Sequence, residues 1–153
     1  MEKVTIDEIA GSETGEADVR NVADALGTTD LAMNRFRLEP GQSFTGGMHA
    51  HFDQEEVFYV IEGTATFETP DGSQEVDAGE VIRFAPGDYQ QGKNEGDSVL
   101  SALALGAPKE STETRVAMEC PECGESDSMA VHMGEDGMTL ECPECGVEMD
   151  APA

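Results

Sequence analysis

Two groups of side chains in this chain have the types and the spacing of metal ligands. The first is His49-Ala-His51, followed by Glu55 and Glu56. In an extended strand residues i and i+2 share a face, so both imidazoles project the same way, with Cα atoms about 6.6 Å apart. Two neutral nitrogens and one carboxylate, with coordination positions left open, can hold Fe, Mn or Zn in a form able to do chemistry. The oxygen donor is Glu55 or Glu56, because a slip of one residue exchanges the two between faces.

The second group is Cys120-Pro-Glu-Cys123-Gly and Cys142-Pro-Glu-Cys145-Gly, with eighteen residues between Cys123 and Cys142. Paired C-x2-C is the pattern of a structural Zn site: four thiolates complete a tetrahedron and leave no open position. The glycine after each pair lets the backbone turn around the metal. Two disulfides are the competing use, disfavoured in a reducing compartment. His132 lies between the pairs as a further candidate ligand, but the shell is already full and a place on a hairpin surface fits it better.

Those residues need strands to carry them, and the sequence supplies many short ones. Leu31–Leu38, Val57–Ile61, Thr64–Thr69, Gln74–Val76, Val81–Phe84, Tyr89–Gln91 and Ser98–Leu105 read as strands, with turns such as Thr69-Pro-Asp-Gly-Ser73 between them. No helix is long enough for a βαβ unit; Val19–Leu26 has helical spacing only over a short stretch. The expectation is an all-β jelly roll or barrel. Val57–Ile61 is apolar on both faces, so its outer face calls for a cover, from the N-terminal segment or from a second copy in a homodimer. Tyr89 and Gln91 are candidate pocket residues, whereas strand parity turns Tyr59 outward. The chain divides into an N-terminal edge segment (1–30), a barrel (31–106), a linker or strand extension (107–117) and a ribbon (118–150). Within the ribbon, Gly134-Glu-Asp-Gly137 reads as the turn of a hairpin.

His49-x-His51, Glu56 and Gly63 together resemble the first conserved motif of the cupin family. Gly79, the Pro86-Gly87 pair and Asn94 resemble the second. The resemblance spans roughly residues 25–106 and implies a cupin jelly-roll, or double-stranded β-helix, barrel. It implies a barrel metal site made by His49, His51 and Glu56. Gln90 stands where the family usually has a third histidine, and Ala85 where it usually has proline. Some sugar-phosphate isomerases of the family use glutamine as a ligand, so Gln90 is either the fourth ligand or the mark of a pocket that has lost its metal. The Cys120–Cys145 segment is similar to a zinc ribbon.

Thirty-three acidic residues against eight basic ones give a net charge of −25. Such a surface repels itself in dilute buffer, and the repulsion is screened once the Debye length falls to about 3 Å near 1 M salt. That predicts a halophilic protein. The same charge opposes nucleic acid phosphates, and the ribbon, with ten acidic residues and no Lys or Arg from Met118 onward, opposes them most. No apolar segment follows Met1-Glu2-Lys3 and none is long enough for a membrane span, which predicts a cytoplasmic protein. No Gly-x-Ser-x-Gly motif is present. Two function classes remain: a divalent-metal-dependent enzyme, of dioxygenase or isomerase type, acting on a small polar molecule; or a non-catalytic small-ligand-binding or regulatory module whose ribbon docks a protein partner.

Overall fold

The computed structural model describes residues 1–12, 17–134 and 137–151. Among these the elements are β1 (Asp18–Asn21), α1 (Val22–Leu26), β2 (Ala32–Leu38), β3 (His49–His51), β4 (Glu55–Glu62), β5 (Thr64–Thr69), β6 (Gly72–Asp77), β7 (Val81–Phe84), β8 (Gln91–Lys93), β9 (Leu100–Ala107), β10 (Thr114–Val116), β11 (Met129–Gly134), β12 (Gly137–Glu141) and β13 (Glu148–Asp150), with a 3₁₀ turn at Ile6–Glu8. No helix among the described residues is long and apolar enough to cross a membrane.

One sheet runs β1-β2-β9-β4-β7, antiparallel throughout. Two further ladders are β6-β5-β8, which packs on the first sheet through the core, and β3-β10-β11-β12-β13. These two ladders meet edge to edge, because His49 and Gln90 exchange backbone hydrogen bonds of 3.0 and 2.9 Å.

Period-2 alternation explains where the core lies. Leu38, Phe58, Val60, Leu100 and Ala102 point inward and pack with Phe44, Phe67 and Phe84. Further along the same inward rows the residues become small or polar: Ala32 and Asn34 on β2, Gly106 on β9, Glu56 on β4. One half of the barrel is therefore filled with aromatic rings, and the other half is left as a mouth. Two glycines are required by this packing. Gly63 has φ +78°, and a Cβ there would sit 2.5 Å from the Val99 carbonyl oxygen; a Cβ on Gly92 would lie 2.6 Å from both Phe44 and Phe67.

Several expectations need adjusting. The helix begins at Val22, since Val19 and its neighbours pair with β2. Asn21 caps it, accepting from the Asp24 N–H at 3.0 Å. The strand expected at Tyr89–Gln91 is Gln91–Lys93, preceded by the Gln90 bridge. The stretch 107–117 contains β10. Residues 13–16 of the N-terminal edge segment lie outside the described residues, as do residues 135 and 136 of the turn expected at 134–137. Tyr59, Ile61 and Val81 are exposed on the outer face of β4 and β7.

Candidate metal centres

β3 and β4 bring His49, His51 and Glu56 together. One ligand atom from each lies within 4.8 Å of the others. His51 Nε2 is 3.5 Å from Glu56 Oε1, and the two rings stand 5.1 Å apart at 88°. Glu55 faces the other way and pairs with Arg83 at 2.7 Å. The one-residue slip is therefore not realised. Gln90 is 2 % exposed and donates its amide to Glu56 Oε2 at 3.1 Å, so it reaches the cluster through the carboxylate.

The orientation of each ring follows from its other nitrogen. His49 Nδ1 lies 3.2 Å from the Gly47 carbonyl oxygen, an acceptor that requires an N–H. His51 Nδ1 lies 2.9 Å from both Ser111 Oγ and Thr114 Oγ1. Ser111 Oγ itself donates to Asp53 Oδ1 at 2.6 Å, so it receives its hydrogen bond from His51 Nδ1–H. Both rings thereby present an Nε2 lone pair, the tautomer that a metal needs. Asp53 also accepts from the Thr112 N–H and hydroxyl and from the Glu113 N–H. Led by the Ser111 hydroxyl, these bonds hold its carboxyl down at about 2.

Electrostatically the cluster is frustrated without a cation. Burial pushes Glu56 up to about 7 against the opposing Gln90 hydrogen bond. Burial and the neighbouring His49 lower His51 to about 4, and burial lowers His49. Neutral imidazoles beside a carboxylate that has no strong cationic partner are the donor set of a divalent ion, and the residues fit one. Beside them opens a cavity of about 270 Å³, lined by Asn34, His51, Gln54, Glu56, Lys109 and Ser111 among others. Tyr89 and Gln91 do not line it; Tyr89 packs near Phe52 at 6.2 Å. Asn34, Gln54, Lys109, Ser111, Thr114 and Asp53 are absent from the sequence-based set. Only Asn34 had a usable signal, as it shares the inward row of Leu38.

The second cluster is Cys120, Cys123, Cys142 and Cys145, again within 4.8 Å. Cys120–Cys145 and Cys123–Cys142 are each 3.8 Å apart. A tetrahedron with Zn–S bonds of about 2.3 Å has edges of about 3.8 Å, whereas a disulfide needs about 2.05 Å. The sulfurs are spaced for an ion. The Cys123 N–H, the largest influence, draws the Cys120 thiol down to about 6. Cys145, despite the Val147 N–H that favours its thiolate, is pushed up to about 12 by desolvation and the three neighbouring sulfurs. His132 lies apart on the hairpin surface, with Nε2 2.8 Å from Glu141 Oε2.

Residues 34–106 match the family model of the cupin domain. No curated protein matches the chain. Among solved structures, a sugar phosphate isomerase of the cupin superfamily from Silicibacter pomeroyi is 22% identical, with TM-score 0.73 and 95% of each chain covered. The polyketide cyclase RemF from Streptomyces resistomycificus is 21% identical, with TM-score 0.67, 82% of this chain and 91% of the other covered. A predicted oxalate decarboxylase from Thermotoga maritima is 23% identical, with TM-score 0.62, 70% and 99% covered. At these identities the likeness is one of fold: an all-β double-stranded β-helix, here with four clustered cysteines near the C-terminus.

Proposed function

We propose that the chain, whose residues 34–106 match the family model of the cupin domain, is a divalent-metal-dependent enzyme of isomerase type acting on a small polar molecule. The observation that carries this is the convergence of His49, His51 and Glu56 beside a polar cavity. The metal would be held by His49, His51 and Glu56, with Gln90 steadying Glu56 or moving in as a fourth ligand. When bound, an Fe, Mn or Zn ion supplies Lewis-acid polarisation of a substrate oxygen. The chain's own residues do the rest. The Asn34 amide and the Gln54 amide oxygen, both on the cavity wall, give a hydroxyl-bearing molecule hydrogen-bond partners, while the Gln54 N–H is held by the Pro108 carbonyl and the Lys109 ammonium by the Thr28 carbonyl and Asp24. The Ser111 and Thr114 hydroxyls hold His51 in its tautomer. The similarity in fold to a sugar phosphate isomerase agrees with a polyhydroxylated substrate, although the same fold also carries other chemistries.

Zinc in the ribbon is structural in this reading. Elemental analysis of protein purified without chelator tests the whole: one zinc plus one iron, manganese or zinc per chain is expected, with the second ion lost in His49→Ala. Zinc alone, unchanged by that substitution, would overturn the enzyme reading. It would leave a non-catalytic ligand-binding or regulatory module, for which the exposed cross-strand pair Met133 and Met138 offers a protein-docking surface.

The protein is further proposed to be cytoplasmic, salt-adapted and homodimeric, with a second copy covering Tyr59, Ile61 and Val81. Unfolding midpoints should rise between dilute buffer and about 1 M KCl as the charge of −25 is screened. Equal midpoints would count against salt adaptation.

A further inference from the structure

The ribbon is not tethered at a distance from the barrel. β10 lies between β3 and β11 and is hydrogen-bonded to both. On one side Thr114 faces His51, Arg115 faces Ala50 and Val116 faces His49. The ladder continues past both ends of β10, with Phe52 N–H donating to the Glu113 carbonyl at 2.8 Å and Ala117 N–H to that of Met48 at 2.9 Å. On the other side Arg115 faces Ala130 and Val116 faces Met129. Val116 is thus the cross-strand neighbour of His49 and of Met129, which is fully buried against Cys120, Leu140 and Cys142. Thr114, on the same short strand, puts its hydroxyl on His51 Nδ1.

These contacts give β10 two roles. Toward the barrel it presents the hydroxyl that, with Ser111 and Asp53, fixes His51. Toward the tail it is one wall of a core made largely of cysteine and methionine. A three-residue strand has little hold of its own. Its position depends on the ladders flanking it, and the β11 ladder depends on the ion gathered by the four sulfurs.

We propose that the ribbon is the buttress of the barrel metal site: a zinc ion on Cys120, Cys123, Cys142 and Cys145 fixes β10, and through the Thr114 and Ser111 hydroxyls on His51 it sets how tightly the barrel holds its own metal. Thr114, Ser111 and Asp53 are positioning residues in this scheme. Loss of zinc from the tail, by zinc shortage or chelation, loosens the barrel site. The inference rests on the barrel site being a metal centre.

The test uses the full chain and Mn²⁺ as probe, with free and bound Mn²⁺ read by electron paramagnetic resonance. Cys142→Ser, and separately Ser111→Ala with Thr114→Val on intact cysteines, should each raise the Mn²⁺ dissociation constant about 10–100-fold, the usual effect of losing partners that orient a ligand. Thr114→Ser should restore wild-type affinity and the wild-type spectrum. If Cys142→Ser also unfolds the barrel, zinc-stripped wild-type protein is titrated back with up to one zinc per chain, which the four thiolates take first. Mn²⁺ affinity should then rise with zinc. An Mn²⁺ affinity indifferent to ribbon zinc overturns this inference while leaving the proposed function intact. Absence of barrel Mn²⁺ binding in the zinc-loaded wild type overturns both.

Discussion

In the barrel five of the six phenylalanines touch one another, with ring centroids 4.9 to 6.1 Å apart, around fully buried Leu38, Val60 and Leu100. In the ribbon two of the four residues forming the buried cluster are cysteines that would themselves hold the ion. The barrel folds by removing apolar surface from water and then has room at its mouth for a site with open positions. The ribbon has too little apolar surface for that, and its site is its core. A metal is therefore a guest in the first region and a structural member in the second.

The largest effect should come from removing that member. Cys142→Ser forfeits most of a binding free energy that is roughly 10–16 kcal/mol for structural zinc in small domains. Amides of β11 and β12 should lose their protection against hydrogen exchange while those of β4, β5 and β9 keep theirs. Simultaneous loss in β4 and β9 would mean that the two regions fold as one. The converse substitution, Phe67→Ala, removes the ring at the centre of the aromatic cluster and should cost about 3–5 kcal/mol of barrel stability. Zinc stoichiometry, measured on the folded protein, should not change.

A smaller and pH-dependent effect separates the guest site from the structural one. Glu56 holds its proton up to about pH 7 in the metal-free fold, whereas in the unfolded chain it ionises near its ordinary 4.5. The stability gained from a neutral Glu56 is complete below pH 4.5 and is lost as the pH rises through 7. Gln stays neutral throughout. Metal-free Glu56→Gln should therefore be more stable than wild type by up to about 3 kcal/mol above pH 7 and equal to it below pH 4.5. His51, lowered to about 4, costs both proteins stability as the pH falls from 6.5 and cancels in the difference. With a divalent ion added the order should reverse, because a carboxylate ligates a divalent cation more strongly than a neutral amide does. Chemical denaturation at pH 4.5 and pH 8, with and without Mn²⁺, measures all of this.

The two regions also differed in how well they could be read from sequence. The cysteines declare themselves by local spacing, His49 and His51 by strand parity, and Glu56 by its place in the cupin-like motif. Gly63 and Asn94 likewise sit where fixed geometry demands them: Asn94 is 1 % exposed and donates to the Leu38 and Ser98 carbonyls. What could not be read is everything that reaches the site across the fold. Asp53, Ser111 and Thr114 meet near His51 from positions about sixty residues apart. Ser111 and Thr114 lie in a polar, proline-containing stretch whose composition resembles a linker. The helix at Val22 is short for a related reason: apolar spacing is shared by a helix and by a strand that bends, and pairing with β2 decided for the strand up to Asn21.

The sheet that carries the two histidines does not stop at them. Among the described residues it continues through β10, β11 and β12 and ends on β13, whose sequence is Glu148-Met149-Asp150. Unpaired strand borders template further strands from other chains, and charged side chains are one of the means by which proteins discourage it. A second copy approaching this border would set acid against acid. Acidic side chains on this border oppose strand-to-strand association of two copies, most strongly in dilute solution, where like charges are least screened.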